Sequence, residues 1–123
     1  MKKVFITGIS GFIGKYLAKK LLADGSYEIH GLVQQPDEKD LGFEYTPWVG
    51  SLTDFELVGQ HLEKVNPHFI IHLAARTEVE KSFYDPIHFQ TVNYDGTVNL
   101  IEKSKDLSNL ELFVFSSTME TYG

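Results

Sequence analysis

A glycine-rich turn between an apolar run and a helical pattern constrains the fold of this chain more than any other feature. Val4 to Thr7 is a short apolar and β-branched run, typical of a strand buried on both faces of a sheet. The segment Gly8 to Gly14 then spaces its glycines as GxxGxxG. From Gly11 to Leu22 apolar residues recur at every third or fourth position, which predicts a helix. Strand, tight turn and helix in this order are typical of a unit that binds a nucleotide.

Each glycine of the turn has a mechanical use. Gly8 permits the tight turn off the strand, Gly11 lets a pyrophosphate approach the backbone, and Gly14 lets the helix lie close to the sheet. Amide groups at the start of a helix, with the helix dipole behind them, hold phosphates. The residues predicted to bind a dinucleotide here are Gly8, Ile9, Ser10, Gly11, Phe12 and Ile13. We expect the side chains of Phe12 and Ile13 to belong to the core.

The rest of the chain alternates between strand and helix patterns. Strands are predicted at Tyr27–Val33, Pro47–Val49, His68–Leu73 and Leu110–Ser116, and helices at Thr53–Val65 and Ile87–Lys105. Thr53 with Glu56 fits a capping box, and Pro86 fits the first position of the last helix. The order βαββαβαβ predicts an α/β fold, a doubly wound parallel sheet of five strands with helices on both faces. Ligands of such sheets bind at the carboxyl ends of the strands.

Composition excludes several classes of protein. The 123 residues allow one domain, and a formal charge of −6 argues against binding nucleic acid through its phosphate backbone. Without cysteine, disulfides and thiolate metal sites are excluded, and no metal site is predicted: His68 and His72 are interpreted as structural. With no apolar run of about 20 residues and no signal-peptide pattern, we expect a cytoplasmic protein without a membrane span.

Five motifs occur in order along the chain. They are TGISGFIG at Thr7–Gly14, GSLTD at Gly50–Asp54, HLAA at His72–Ala75, NYDGTVNL at Asn93–Leu100, and SSTMETYG at Ser116–Gly123. Through these motifs the whole chain resembles the N-terminal part of the extended short-chain dehydrogenase/reductases, the group of NAD-dependent nucleotide-sugar epimerases and dehydratases. Among them it is most similar to GDP-mannose-type 4,6-dehydratases.

The resemblance implies NAD or NADP as cofactor and a nucleotide sugar as substrate. It implies that Thr118 bonds the sugar 4-oxygen during hydride transfer and that Glu120 removes the C5 proton. It adds to the cofactor-binding residues Gln34, Ser51, Leu52, Leu73, Ala74 and Ala75. The cofactor ribose would meet Gln34 where the fingerprint expects an acid, and the lack of Arg or Lys at that position favours NAD. Ser51 stands where the family has an aspartate that contacts adenine.

Two departures from the family leave alternatives open. Met119 stands where dTDP-glucose dehydratases carry an acid, so GDP-mannose-like dehydratase, UDP-glucuronate decarboxylase-like and epimerase activities all stay open. The YxxxK pair expected beyond the fifth strand is missing. We therefore expect an NAD(P)-binding domain over residues 1–123, inactive alone, whose longer enzyme carries the substrate domain. The alternative is a stand-alone dinucleotide-binding module without catalysis. An exposed edge at the fifth strand would favour pairing into homodimers.

Overall fold

The structure, a computed structural model, describes residues 1–34, 41–73 and 86–115. Its elements are β1 (Lys2–Thr7), α1 (Phe12–Asp24), β2 (Tyr27–Val33), β3 (Thr46–Val49), α2 (Phe55–Val65), β4 (Phe69–His72), α3 (Pro86–Ser104) and β5 (Leu112–Phe115). The predicted order βαββαβαβ is confirmed, and each predicted strand has a counterpart. Helix α3 begins at Pro86, as the sequence predicts, and α2 ends at Val65, before a left-handed Asn66 (φ 48°).

All strand pairs are parallel, and the sheet order is β3-β2-β1-β4-β5. From β1 the chain builds outward on one side through β2 and β3, then crosses back through α2 to place β4 on the other side. The order therefore reverses between β1 and β4, where Thr7 is the register partner of both Leu32 and His72. At such a switch point a crevice opens beyond the carboxyl ends of the strands, and ligands bind there. The predicted doubly wound fold is confirmed.

Two apolar clusters cover the two faces of the sheet. Because side chains alternate along a strand, Val4 and Ile6 face α1 whereas Phe5 faces α2 and α3. Ile13 packs into the cluster under α1, as predicted. The prediction for Phe12 was wrong, since its side chain is 79% exposed. Successive residues of a helix are rotated by about 100° about its axis. Because Ile13 faces the sheet, the neighbouring Phe12 faces away from it.

The cap of α2 differs from the prediction by one residue. Asp54, not Thr53, is the N-cap, and its carboxylate accepts a hydrogen bond from the Leu57 amide at 3.3 Å. The Thr53 hydroxyl instead bonds the Ser51 hydroxyl at 2.8 Å. Both residue types are good caps, and the hydroxyl at position 51 provides a competing local partner for Thr53.

Candidate cofactor-binding site

The glycine turn after β1 is closed by a backbone hydrogen bond. The Gly11 amide donates to the Gly8 carbonyl at 3.0 Å, and Gly8 has a φ of 73°. This left-handed conformation strains any residue with a Cβ, so the turn requires glycine at its first position. The turn leaves the carboxyl end of β1, beside the crevice where the strand order reverses. The residues therefore form a tight loop where the sequence predicts one.

Gly14 allows α1 to rest directly on this turn. A Cβ built at Gly14 would lie 2.3 Å from the Gly8 carbonyl oxygen and 2.7 Å from the Ile9 Cα. Both neighbours are backbone atoms of the turn and cannot rotate away. The sequence predicts a close approach of this helix to the sheet, and the structure places the contact on the turn that follows β1.

The first turn of α1 presents backbone amides without a capping side chain. Gly11 is the N-cap, with extended backbone (ψ 171°), and α1, described over its whole length, has neither a side-chain cap nor an acidic residue in its first turn. The first backbone bond within the helix runs from the Lys15 amide to the Gly11 carbonyl at 3.0 Å. The amides of Phe12 and Ile13 precede it and point out of the helix start. An anion is the partner that such amides and the helix dipole favour.

Ile9 anchors the turn to β2 through its side chain. It is fully buried, and a Cβ built at Gly31 would lie 2.6 Å from the Ile9 Cγ2 atom. Gly31 thus leaves the space that the Ile9 side chain fills. Of the predicted contact residues, Ile9 can offer a ligand only its backbone. The sequence signal for this pair is a glycine inside an otherwise apolar strand, which often marks a close approach.

The predicted residues after β2 and β3 lie along the same edge of the sheet. Gln34 is exposed and follows directly on Val33, the last residue of β2. Since Thr7 pairs with Leu32, Gln34 stands two positions beyond that pair, level with the start of the glycine turn. Ser51 follows Gly50, whose amide donates to the Val33 carbonyl at 2.8 Å. These positions lie beyond the carboxyl ends of β2 and β3, where the sequence predicts contacts with a cofactor.

Local contacts limit what Ser51 and Leu52 can contribute. The Ser51 hydroxyl bonds the Thr53 hydroxyl and also accepts from the Thr53 amide at 3.2 Å. A ligand would share this hydroxyl with the turn. The side chain of Leu52 is 9% exposed and rests on Gly96 of α3, where a built Cβ would lie 3.2 Å from the Leu52 Cβ. Leu52 therefore joins the core beneath the site.

Buried polar groups join the ends of β1 and β4. The Leu73 amide donates to the Thr7 hydroxyl at 2.9 Å and approaches the Thr7 carbonyl at 3.2 Å. The Thr7 hydroxyl also bonds His72 Nδ1 at 2.6 Å, and His72 Nε2 bonds the Thr97 hydroxyl at 2.8 Å. Burial lowers the pKa of His72 to about 4, so the ring is neutral near pH 7. The sequence alone did not reveal this group, because its members are 65 and 25 residues apart.

The two histidines that the sequence analysis interprets as structural, His68 and His72, both bond protein groups. His68 Nδ1 accepts from the Lys3 amide at 3.0 Å, which joins the starts of β1 and β4, and His72 has the partners described above. Within the described ranges, no three His, Asp or Glu side chains come together in a way that could bind a metal ion. Among the described helices, none combines the length and the apolar character needed to span a membrane.

Four predicted site residues lie outside the described residues. They are Ala74, Ala75, Thr118 and Glu120. Their neighbours are described: Leu73, which follows β4, directly precedes Ala74, and Phe115, the last residue of β5, lies three residues before Thr118. The roles of these four residues stay predictions.

A doubly wound parallel sheet with a glycine turn at its switch point defines the class of Rossmann-type nucleotide-binding folds. Solved structures of this class match the chain. The UDP-Glc/GlcNAc 4-epimerase of Campylobacter jejuni aligns over 100% of this chain and 39% of its own, with a TM-score of 0.80 and 28% identity. The Bordetella bronchiseptica enzyme WbmH, solved in complex with NAD⁺, covers 92% of this chain and 38% of its own, with a TM-score of 0.71 and 29% identity.

Sequence comparison identifies the family within this class. The family model described as GDP-mannose 4,6 dehydratase matches residues 5–123, and the chain belongs to that family. The GDP-mannose 4,6-dehydratase of Vibrio cholerae is 34% identical in an alignment that covers 99% of this chain and 36% of the relative. The chain thus spans little more than a third of the length of such relatives. The resemblance found in the five motifs is confirmed.

Proposed function

We propose that this chain is the NAD(P)-binding domain of a nucleotide-sugar 4,6-dehydratase of the GDP-mannose type. The observation that carries the proposal is the uncapped start of α1, set over the Gly8–Gly14 turn at the switch point of the sheet. Helix α2 has its own carboxylate cap, whereas α1 leaves its first amides for a ligand. The bound NAD⁺ of the similar Bordetella enzyme agrees in chemistry with such a site.

The residues present fit a dinucleotide. Amides of Phe12 and Ile13 would hold the pyrophosphate, because Gly11 places no side chain over them. The neutral Gln34 would bond the ribose, and its amide suits NAD without providing a cation for a 2′-phosphate. When bound, the nicotinamide supplies reversible acceptance of hydride from a sugar carbon. We expect NAD to bind more tightly than NADP for this reason.

Two further residues would act on the sugar. The hydroxyl of Thr118 would bond the 4-oxygen and hold it in place as C4 is oxidised. Once C4 is a ketone the C5 proton is acidic, and the Glu120 carboxylate would accept it before the 6-hydroxyl leaves. Met119, between them, has no proton to give, so another group would protonate the leaving hydroxyl. These roles follow from the family motif at Ser116–Gly123.

A 4-epimerase is the second candidate, and a specific observation favours it. UDP-glucose 4-epimerases recur among the solved structures that match the chain, and one from Mycolicibacterium smegmatis is 34% identical over 98% of it. Epimerisation needs hydride transfer at C4 but no base at C5, so Glu120 favours the dehydratase, a lyase, over an isomerase. A UDP-glucuronate decarboxylase would also use this acid. A stand-alone dinucleotide-binding module would bind the cofactor and turn over none of these sugars.

The cofactor part of the proposal is tested by calorimetry with NAD and NADP. Gly11→Ala is the informative variant, because the extended backbone of Gly11 accepts a side chain without strain, while the added methyl group would crowd the phosphates. We expect at least a tenfold loss of NAD affinity with little change in thermal unfolding. Lys19→Ala, on the exposed side of α1, serves as the matched control and should bind as the wild type. No binding of either dinucleotide to the wild-type chain would overturn the proposal.

The substrate part is tested on a protein that contains this chain together with the region that carries YxxxK. GDP-mannose should give a 4-keto-6-deoxy product, detected by mass spectrometry as the loss of water. Interconversion of UDP-glucose and UDP-galactose without that loss would support the epimerase instead. Turnover of neither sugar nucleotide, together with tight NAD binding, would support the binding module.

Pairing between copies stays a prediction. Strand β5 is an edge of the described sheet, and Leu112 and Val114 are 54% and 39% exposed. A sheet edge with exposed apolar side chains favours association. Sedimentation of wild-type chain and of Val114→Lys would test it: the wild type should dimerise at lower concentration than the variant.

A further inference from the structure

We propose that His72 is a positioning residue, which holds the backbone of the dinucleotide-binding turn through Thr7 and fixes it relative to α3 through Thr97. The inference rests on the proposed function, because it assigns His72 a role in shaping that same site. It differs from a general structural role in one respect: the contact to Thr7 should govern ligand affinity more than stability.

His72 lies at the end of β4, next to the residue that precedes the turn. Strand β4 is apolar through Phe69, Ile70 and Ile71, and its last residue is a fully buried histidine. Its register partner is Thr7, the last residue of β1, which is also fully buried. Because Thr7 directly precedes Gly8, whatever holds the Thr7 side chain also holds the start of the turn. The 2.6 Å contact between His72 Nδ1 and the Thr7 hydroxyl does this.

The two ring nitrogens of His72 each bond a hydroxyl group. A neutral imidazole has one N–H donor and one acceptor nitrogen, and both nitrogens of His72 face hydroxyl groups, which can donate or accept. Each tautomer is therefore satisfied on both sides. The ring also stacks on Phe115 at the end of β5, with 5.2 Å between centroids and 21° between planes. An aliphatic residue of β4 would fill the space but would fix neither hydroxyl.

Thr7 and Thr97 lie next to residues of the other loops at this edge of the sheet. The same Thr7 hydroxyl accepts the Leu73 amide, so it also fixes the beginning of the loop after β4. On α3, Thr97 is next to Gly96, where an added Cβ would lie 3.2 Å from the Leu52 Cβ in the loop after β3. One chain of contacts thus reaches the loops that follow β1, β3 and β4. These are the loops that carry the predicted cofactor-binding residues.

A hydroxyl-deletion pair at Thr7 tests the proposal. Thr7→Val keeps the shape and removes the hydroxyl, whereas Thr7→Ser keeps the hydroxyl. In calorimetry we expect Thr7→Val to lose at least tenfold in NAD affinity and Thr7→Ser to stay within about threefold of the wild type. Val58→Ala, in the core on α2, is the control for destabilisation alone and should bind NAD normally while folded. Equal affinity of folded Thr7→Val and wild type would overturn the proposal.

Two variants of His72 separate its two contacts. His72→Asn places a polar atom near Nδ1 and keeps a partner for Thr7, while His72→Gln reaches toward Nε2 and keeps a partner for Thr97. The proposal predicts that the Asn variant binds NAD at least threefold more tightly than the Gln variant, measured where both are folded. The reverse order would show that the contact to α3 is the one that matters, which contradicts the proposal.

Amide exchange separates this inference from the proposed function. If the wild-type chain bound no dinucleotide, the proposed function would be wrong, but the positioning role could still be measured by NMR. The Gly11 amide should exchange at least tenfold faster in Thr7→Val than in the wild type or Thr7→Ser, because its acceptor is the Gly8 carbonyl. Unchanged exchange in Thr7→Val would overturn the inference in that case.

Discussion

The carbonyl oxygen of Gly8 occupies the space that a side chain on Gly14 would need. The two residues come from opposite ends of the same turn, and only 2.3 Å would separate that oxygen from a Cβ at Gly14. The start of α1 therefore packs directly on the backbone that follows β1, and this contact sets the distance between the first amides of α1 and the sheet.

This contact predicts a large effect of Gly14→Ala. The methyl group would force α1 away from the turn, and overpacking of this kind costs about 1–3 kcal/mol. Denaturant unfolding should show this loss, and NAD affinity should fall with it because the amides move. Gly25→Ala is the control: its left-handed φ of 83° makes alanine unfavourable by about 1–2 kcal/mol, yet nothing lies within 4 Å of the added Cβ. It should destabilise without weakening NAD binding.

The contact between Gly31 and Ile9 predicts coupling between two substitutions. Gly31→Ala should destabilise the chain because its Cβ would meet the Ile9 side chain at 2.6 Å. Ile9→Ala alone should cost about 2–5 kcal/mol through lost burial. In the double variant the alanine at 9 makes room for the alanine at 31. The loss of unfolding free energy in the double variant should therefore be smaller than the sum of the two single losses by at least about 1 kcal/mol. Gly31→Ala combined with Val58→Ala, in the other cluster, should be additive.

The hydrogen bonds at the start of α2 predict different losses of unfolding free energy for substitutions at Thr53 and Asp54. Asp54→Ala removes the carboxylate that accepts from the Leu57 amide and should cost about 1 kcal/mol in unfolding free energy. Thr53→Ala removes only an exposed bond to the Ser51 hydroxyl and should cost less than half as much. A larger loss for Thr53→Ala would mean that the capping box predicted from the sequence forms after all.

Burial of His72 predicts a dependence of stability on pH. The pKa of about 4 in the folded chain lies well below the ordinary 6.5, because the ring is buried. Between these values the unfolded chain binds a proton that the folded chain does not, so the unfolding free energy falls as pH drops from 6.5 to 4, by an amount on the order of 3 kcal/mol. The ring's described contacts, Thr7, Thr97 and Phe115, are uncharged.

Comparison with a variant isolates this residue. Urea unfolding of the wild type and of His72→Asn at several pH values gives the difference between the two profiles, in which the remaining titratable groups cancel. The difference should grow from pH 4 to 6.5 in favour of the wild type and be level above about 7. A difference that does not change with pH would mean that His72 has the same pKa in the folded and in the unfolded chain.

The proposed catalytic hydroxyl predicts a loss of turnover. In a protein that contains this chain and the YxxxK region, Thr118→Val should lower kcat by roughly 10²–10⁴, the range for a lost acid–base partner. Thr118→Ser keeps the hydroxyl and should retain most of the activity. NAD affinity should be unchanged in both. Equal turnover of Thr118→Val and wild type would remove this residue from the mechanism.

The sequence predicted the elements well because their signals are local. Apolar runs, the glycine turn and Pro86 fix strands and helices without knowledge of their neighbours, and the alternation of the elements predicts the sheet. The exposure of Phe12 was missed because the apolar character of a residue does not say on which side of a helix start it lies. The choice of Asp54 over Thr53 depended on a competing hydroxyl at Ser51.

The contacts that shape the site could not be predicted in the same way. Gly31 meets Ile9, and Thr7 meets His72, only after strands pair in one register, and Thr97 reaches His72 only when α3 packs across the sheet. Each residue alone has an ordinary explanation in its own strand or helix. Their common role appears only from distances between segments far apart in the chain.

The missing cap of α1 has a consequence for how this chain responds to its ligand. A phosphate that accepts from the amides of Phe12 and Ile13 would complete the helix in the way that the Asp54 carboxylate completes α2. Occupancy and local order would then rise together, and saturating ligand at 100 times Kd would add about 2.7 kcal/mol to global stability. Binding of the dinucleotide would therefore complete the hydrogen bonding of the first turn of α1.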